Sequence, residues 1–277
     1  MPIATLYLFC RAVDSIADRR VVEIGPAGAL GEIEALKDKL DATLNGRPPE
    51  AFLWQRLSQI HDQFALPPAP LYELIDGAAW DLEGRPIDTR QDLIDYSNLV
   101  GGSIGAMVLP FLLDHRSDYA RAEPAARALG IAMQITNIVR DIGEDLHLLD
   151  RIYLPRTWLH EHDLSTEDLR RSTPAASYPL LMETVMETAE MFFEEGIAGI
   201  RMLPRPMQTG IRAAARMYRE IMNEVRARHY DNLTHRAYVP LPRKAAVVLH
   251  DGYERRKARL LAAPHTSAEA PLIVADP

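Results

Sequence analysis

Cysteine is nearly absent from this 277-residue sequence, which contains only Cys10. A single thiol excludes an intrachain disulfide and a cysteine-rich metal site. The nine histidines show no ligand spacing such as His-Glu-x-x-His, so we do not expect a zinc centre either. Because disulfides accumulate in oxidising compartments, this cysteine usage favours a reducing one, and we expect a cytoplasmic protein.

Basic character and long apolar runs are scarce as well. The formal net charge is −8, and no basic stripe is evident that could bind the phosphates of a nucleic acid. No apolar run approaches the roughly 18 residues that a membrane span requires, and the N-terminus lacks the basic leader of a signal peptide. No basic amphipathic helix that would lie on a membrane is evident.

Strand-like alternation is missing too, whereas apolar residues recur with helical spacing along most of the chain. We predict a single all-α domain of roughly eight to ten helices over residues 1–262, followed by a disordered tail over 263–277. The predicted helices include one over 1–22, one that starts near Pro124 and a last one over 244–261.

Two smaller features of the predicted helices can be checked directly. Thr89 and Ser165 are predicted to cap the helices that follow them, because each hydroxyl can accept a hydrogen bond from an otherwise unpaired backbone N–H. Met182, Met186 and Met191 lie in a long apolar helix, and we expect them in the core.

Polar side chains with helical spacing distinguish the stretch 129–155. On a helix, Gln134, Asn137, Asp141 and Asp145 share an arc of roughly 80°. Two carboxylates one turn apart, beside two amides, supply the oxygen ligands that a hard divalent cation prefers. The alternative is a solvated helix face whose charges fall at ordinary i, i+4 spacing.

A second polar stripe lies near the start of the chain. Tyr7, Arg11, Asp14 and Asp18 fall within an arc of about 60° on a helix that is otherwise largely apolar. If this stripe is buried, its charges require partners or a ligand. If it is exposed, the two carboxylates are only mildly repulsive neighbours.

The two carboxylate pairs together favour one kind of chemistry. Facing each other across a helical bundle, they could hold several Mg²⁺ ions, or Mn²⁺ in their place, which would bind the oxygens of a diphosphate. Arg11, Arg140 and Arg151 could add direct phosphate contacts. The remaining apolar, methionine-rich lining would suit a long hydrocarbon.

The same residues resemble the squalene/phytoene synthase family. That family's second motif is matched without a gap by Leu129, Gly130, Gln134, Asn137, Ile138, Arg140, Asp141, Glu144, Asp145, Arg151, Tyr153 and Pro155. The run LYLFCRAVDSIAD is similar to its first motif, and IDGAAWDL (75–82) and AYVPLPRKAAVVL also look like the family. The resemblance extends from the first residues to about residue 260.

The resemblance implies an isoprenoid-synthase-type helical bundle with a central cavity. It implies metal-binding roles for Asp14, Asp18, Asp141 and Asp145. It implies diphosphate contacts from Arg11, Gln134, Asn137, Arg140, Arg151 and Tyr230, although Tyr230 would equally suit a surface turn. Catalytic roles would belong to Asp14 and Asp141 and, through proton removal or cation stabilisation, to Tyr7 and Tyr96.

The implied reaction joins two prenyl diphosphates head to head through a cyclopropyl diphosphate intermediate. Two geranylgeranyl diphosphates giving phytoene fit best, because that product needs no reduction and no NADPH motif is visible. Farnesyl diphosphate giving squalene or dehydrosqualene is the alternative, with NADPH needed only for squalene. The lipid product would imply peripheral membrane contact.

Three other interpretations remain open. The chain could be a head-to-tail prenyltransferase or terpene cyclase of the same fold, a non-catalytic family member that acts as an assembly scaffold, or a helical interaction protein. The retained aspartates argue against the scaffold. The extra helix that the family usually carries upstream of its first motif has no counterpart in this sequence, which argues for the scaffold.

Overall fold

The chain is described from a computed structural model, which covers residues 2–171, 175–240 and 243. Within these residues the secondary structure consists of eleven α-helices joined by short turns, with no strand. The all-α prediction is therefore confirmed. The helices are α1 Pro2–Ser15, α2 Val21–Leu44, α3 Phe52–Phe64, α4 Ala69–Leu82, α5 Arg90–Ser97, α6 Ser103–Val108, α7 Tyr119–Leu148, α8 Arg156–Glu161, α9 Thr166–Arg170, α10 Tyr178–Gly199 and α11 Arg205–Ala227.

Helix α7 is the centre of the compact unit that spans Met1–Val239. It packs most extensively against α10, and also against α11 and the segment between α5 and α6. One buried row along α7 fills the core there: Ile131, Ile135, Ile138 and Ile142. A second apolar cluster joins α1 to α4 around Phe9, Ile33, Leu57 and Leu71.

Two glycines let α7 approach its neighbour backbone to backbone. Between α5 and α6 the chain forms a π-helical turn, Asn98–Gly102. A Cβ atom added to Gly130 would lie 2.1 Å from the carbonyl oxygen of Gly101, and one added to Gly101 would lie 2.4 Å from that of Gly130. Only glycine fits at either position, so this close crossing fixes the π turn against the polar arc of α7.

The predicted helix over 1–22 is divided in the structure. Helix α1 ends at Ser15, and a π-helical turn, Ile16–Arg20, leads into α2. Because a π turn contains an extra residue, it rotates Asp18 away from the position that a regular helix would give it relative to Asp14. Gly25 then kinks α2 with a φ of 73°, three residues after the predicted end of the first helix.

Other predicted boundaries hold to different degrees. Capping boxes at Thr89 and Ser165 are confirmed. Helix α7 begins at Tyr119, earlier than predicted, because Pro124 lies in its second turn and continues the helix. The predicted last helix and tail lie outside the described residues, and the domain boundary at residue 262 stays a prediction.

The methionines of α10 do not all behave as expected. Met182 and Met186 are fully buried, which confirms their core assignment. Met191 is 58% exposed, so its assignment is wrong; it lies on the outer face of α10, where its sulfur accepts a hydrogen bond from Arg90. None of the helices in the described segments combines the length and apolarity that crossing a bilayer requires.

Candidate active site

The polar arc of α7 is the first component of the candidate site. The amide nitrogen of Asn137 donates to the side-chain oxygen of Gln134 at 3.4 Å, one turn away. The amide oxygen of Asn137 is buried and has no hydrogen-bond partner among the described residues. An unsatisfied buried acceptor is costly, so this oxygen is suited to a ligand that donates or carries positive charge.

Asp141 is held by two guanidinium groups. Arg140 donates to both of its carboxylate oxygens, at 2.7 and 2.6 Å. Arg236 forms an ion pair with it at 2.8 Å and reaches Glu144 at 3.0 Å. Charge-assisted pairs of this kind are the strong ones, so Asp141 has a fixed orientation before any ligand binds.

A buried asparagine explains how Arg236 reaches α7 from the segment after α11. Asn232 donates to the carbonyl oxygen of Val139 at 2.6 Å and accepts from the hydroxyl of Tyr178 at 2.7 Å. The following residue, Leu233, lies so close to α7 that a Cβ on Gly143 would be 2.0 Å from its carbonyl oxygen. This anchored crossing places Arg236 beside Asp141.

Arg151 connects the two acidic stripes. One of its nitrogens lies 3.2 Å from Asp18, and another donates to the carbonyl oxygen of Ala17 at 2.9 Å. Its backbone N–H donates to the carbonyl oxygen of Asp145 at 3.1 Å. Arg151 therefore connects Asp18 of the first stripe to the end of α7, and the sharing of metal ions by the two pairs stays a prediction.

Asp81 is a component of the site that the sequence interpretation missed. Its carboxylate accepts hydrogen bonds from Tyr96 at 3.1 Å and from Tyr153 at 3.0 Å, and it lies 3.6 Å from Arg151. The two tyrosine rings are stacked, with centroids 4.8 Å apart. The available signal was the position of Asp81 in the run 75–82, which looks like the family and in which Asp76 is the other carboxylate.

Burial and mutual repulsion raise the pKa of several of these carboxyl groups. Burial, then the charge of Asp18, raises the pKa of Asp14 to about 6. Burial, then the charges of Asp141, Asp81 and Glu144, raises the pKa of Asp145 to about 7. Ionising these carboxyl groups in the folded protein therefore costs free energy, and a bound cation would reduce that cost.

These groups fit Mg²⁺ if substrate completes its coordination. Within the described residues, no three acidic, histidine or cysteine side chains are placed to hold one ion by themselves. Mg²⁺ is normally bound by one or two carboxylates together with water and phosphate oxygens, which the separate aspartate pairs match. Asp14 and Asp145 form no ion pair with the described residues, whereas a metal at Asp141 would have to share it with Arg140 and Arg236.

A large apolar cavity adjoins the polar arc. Its volume is about 290 Å³, close to the lower end of the range for small-molecule sites. Gln134 and Asn137 line one end, and the α7 residues along it continue to Ala122, a distance of about 22 Å at helical rise. Asp141 lies one helical turn beyond Asn137, so the cavity starts where the acidic groups are gathered.

The remaining predicted site residues lie nearer the protein surface. Tyr7 is 62% exposed, and Arg11 is also exposed on the same side of α1. Tyr230 donates its hydroxyl to Glu183 at 2.7 Å, beside the Arg226–Glu183 ion pair. Their roles with substrate stay predictions.

Comparison with known proteins gives a consistent result. The family model described as squalene/phytoene synthase matches residues 1–243. Phytoene synthase of Rhodobacter capsulatus is 32% identical over 262 residues, which cover 94% of this chain and 75% of the relative. Phytoene synthase of Cereibacter sphaeroides is 34% identical over 245 residues, which cover 86% and 67%.

Solved structures agree with these sequence relatives. A dehydrosqualene synthase crystallised with a ligand superposes with a TM-score of 0.80 at 30% identity, covering 91% of this chain and 86% of that one. A squalene synthase from Alicyclobacillus acidocaldarius gives a TM-score of 0.71 at 24% identity, covering 82% of each chain, and supports the fold alone.

Proposed function

Because the chain belongs to the squalene/phytoene synthase family and is a prenyltransferase, we propose that it joins two molecules of geranylgeranyl diphosphate head to head to give phytoene. One observation carries the proposal: Arg151 connects Asp18 to the end of α7 that carries Asp141 and Asp145, and the long apolar cavity begins one helical turn before Asp141. A prenyl diphosphate has the same division into an anionic head and a hydrocarbon tail.

The diphosphate end is served by the chain's own cations and amides. Arg140, Arg151 and Arg236 are fixed by carboxylates, and each guanidinium has further N–H groups for phosphate oxygens. When bound by the aspartate pairs, Mg²⁺ supplies positive charge that stabilises the departing diphosphate. Gln134 and Asn137, at the cavity end, orient the first carbons of the chain relative to that charge.

The cavity has a second role in the proposal. Loss of diphosphate gives an allylic cation, to which the double bond of the second substrate adds. The tertiary cation that results loses a proton to a base, and this closes the ring of the cyclopropyl diphosphate. A second ionisation then opens the ring. Water would trap either cation, and an apolar lining that excludes water prevents this.

The environment of Tyr96 limits what it can do. Burial, then the charge of Asp81, raises the pKa of the Tyr96 phenol well above its usual range. Tyr96 therefore stays protonated and donates to Asp81 at neutral pH. If it removes a proton from the final cation, its own proton would pass to Asp81, whose pKa burial raises to about 6.

One alternative within the family has direct support. The solved relative with a TM-score of 0.80 is a dehydrosqualene synthase, so two farnesyl diphosphates giving a C30 product are the second candidate. The scaffold interpretation receives no such support from the relatives, which are named as synthases. A cytoplasmic location and membrane contact remain part of the proposal.

The test uses purified protein with Mg²⁺ and either geranylgeranyl or farnesyl diphosphate, with and without NADPH. We expect diphosphate release and phytoene from the C20 substrate, independent of NADPH. A C30 product only would select the alternative. No diphosphate release from either substrate would contradict the enzyme assignment, and full activity in both Asp14→Asn and Asp145→Asn would contradict the metal assignment.

A further inference from the structure

The segment 196–219 has a charge pattern opposite to that of the whole chain. It contains five arginines and no acidic residue, in a protein of net charge −8. In α11 the arginines fall on one arc of about 80°, so α11 is the basic amphipathic helix that the sequence interpretation did not find. Arg205 and Arg212 are seven residues apart, so the segment contains no run of consecutive basic residues. The arginines of this arc are Arg205, Arg212, Arg216, Arg219 and Arg226.

Ion pairs divide this basic face into two parts. Toward the C-terminal end of α11, Arg219 pairs with Glu190 at 2.5 Å and Arg226 pairs with Glu183 at 2.7 Å, so both are neutralised by α10. Arg201, Arg205 and Arg212 form no ion pair with any described residue. These three arginines and Met207, which lies among them in the sequence and is 41% exposed, are called the basic rim.

The basic rim borders the apolar cavity at the end away from the acidic groups. Ile200, Leu203 and Ile211, from the same segment, line that cavity. The preceding glycine locates this end, because a Cβ on Gly199 would lie 2.1 Å from the Cβ of Ala125. Ala125 precedes Asn137 by about 18 Å of helix, so the rim and the diphosphate groups are at opposite ends.

We propose that the basic rim docks on the surface of an anionic lipid bilayer. The inference rests on the proposed function, whose product has lost both diphosphates and is a hydrocarbon with no favourable place in water. A docked rim would present the apolar end of the cavity to lipid. Three unpaired arginines around an exposed methionine match an anionic headgroup layer in charge and an acyl boundary in polarity.

The test measures co-flotation of the full chain with vesicles in the absence of substrate. We expect binding to phosphatidylglycerol–phosphatidylcholine vesicles, weak binding to phosphatidylcholine alone, and loss of binding at high salt. The triple variant Arg201→Gln, Arg205→Gln, Arg212→Gln should lower the partition coefficient roughly a hundredfold, since each basic residue near such a surface contributes about 1 kcal/mol.

A matched control removes the same charge elsewhere. The exposed residues Arg47, Arg90 and Arg121 lie outside this segment, and changing all three to Gln should leave vesicle binding within about twofold of wild type. Equal binding by the two triple variants, equal binding to neutral vesicles, or no flotation would overturn the proposal. A dimer in solution that only the rim variant loses, with no vesicle binding, would assign the rim to a second copy instead.

Failure of this proposal is separable from failure of the proposed function. In detergent micelles the rim variant should release diphosphate at the wild-type rate, because none of its changed residues lines the cavity or contacts the aspartates. Activity without vesicle binding would overturn only the docking surface.

Discussion

The two aspartate pairs have the same spacing in the sequence but very different surroundings in the structure. Asp141 lies in the C-terminal third of the central helix, its side chain is 15% exposed, and two arginines hold it. Asp18 lies in a π turn near the edge of the molecule, its side chain is 50% exposed, and Arg151 is its one ion-pair partner among the described residues.

This difference teaches that one motif can supply a fixed half and an adaptable half of a single site. Asp141 is preorganised, because two arginines and helix packing limit its side-chain freedom. Asp18 can move at low cost, since its single ion pair is half-exposed, whereas Asp14 is half-buried. We infer that Asp18 adjusts to each diphosphate while Asp141 sets the reference position.

The largest expected effect is on turnover at Asp145. Asp145→Asn removes a carboxylate from the end of α7 that meets Arg151, and we expect kcat to fall about a thousandfold, as for other losses of transition-state electrostatics. The free energy of unfolding at pH 8 should stay the same or rise, because a carboxyl whose pKa is raised to about 7 costs stability when it is ionised. Steady-state diphosphate release and urea denaturation measure the two quantities.

Asp38→Asn is the matched control for that change. Asp38 is exposed on α2, so its substitution should leave both kcat and stability unchanged. A kcat for Asp145→Asn within about tenfold of wild type would show that the α7 pair is not the catalytic reference proposed above.

The second prediction compares stability between the pairs. Asp141→Asn leaves the largely buried Arg140 without a carboxylate and leaves Arg236 with Glu144 alone, and we expect it to lower the free energy of unfolding by about 3 kcal/mol. Asp18→Asn removes a half-exposed ion pair and should cost less than about 1 kcal/mol. Equal losses in urea denaturation would remove the distinction between a fixed and an adaptable half.

The sequence could predict what helical periodicity encodes. Both acidic stripes and the two capping boxes follow from local spacing, and Arg151 connects the first stripe to the end of α7. The π turn at Ile16–Arg20 could not be predicted, because side-chain periodicity does not reveal a local change in hydrogen-bond register. The pairing of Arg236 with Asp141 could not be predicted either, because it depends on where buried Asn232 anchors a loop to α7.

The role of Asp81 could not be predicted for a related reason. The other carboxylates of α4, Glu73 and Asp76, do not lie one turn from Asp81, so no periodic pair marks it as functional. Its partners come from two separate parts of the chain, one with Tyr96 and one with Arg151 and Tyr153. Only the folded structure shows these contacts. Through them Asp81 connects the two aspartate pairs, and it is called the junction between them.

The smallest predicted effect concerns pH and tests whether Asp81 is that junction. Burial raises its pKa from 3.8 to about 6, so the protonated form is favoured in the folded state, and stability due to this group is lost as pH rises from about 4 to 6. Asp81→Asn should remove about 2 to 3 kcal/mol from the fall in unfolding free energy across that range. Urea denaturation of wild type and variant at matched pH values isolates this contribution, because the other carboxyl groups titrate in both proteins. Parallel pH profiles would mean that Arg151 and the two tyrosines fully compensate the buried charge of Asp81. Asp81 would then belong with the fixed carboxylate of α7 and would not connect the two aspartate pairs.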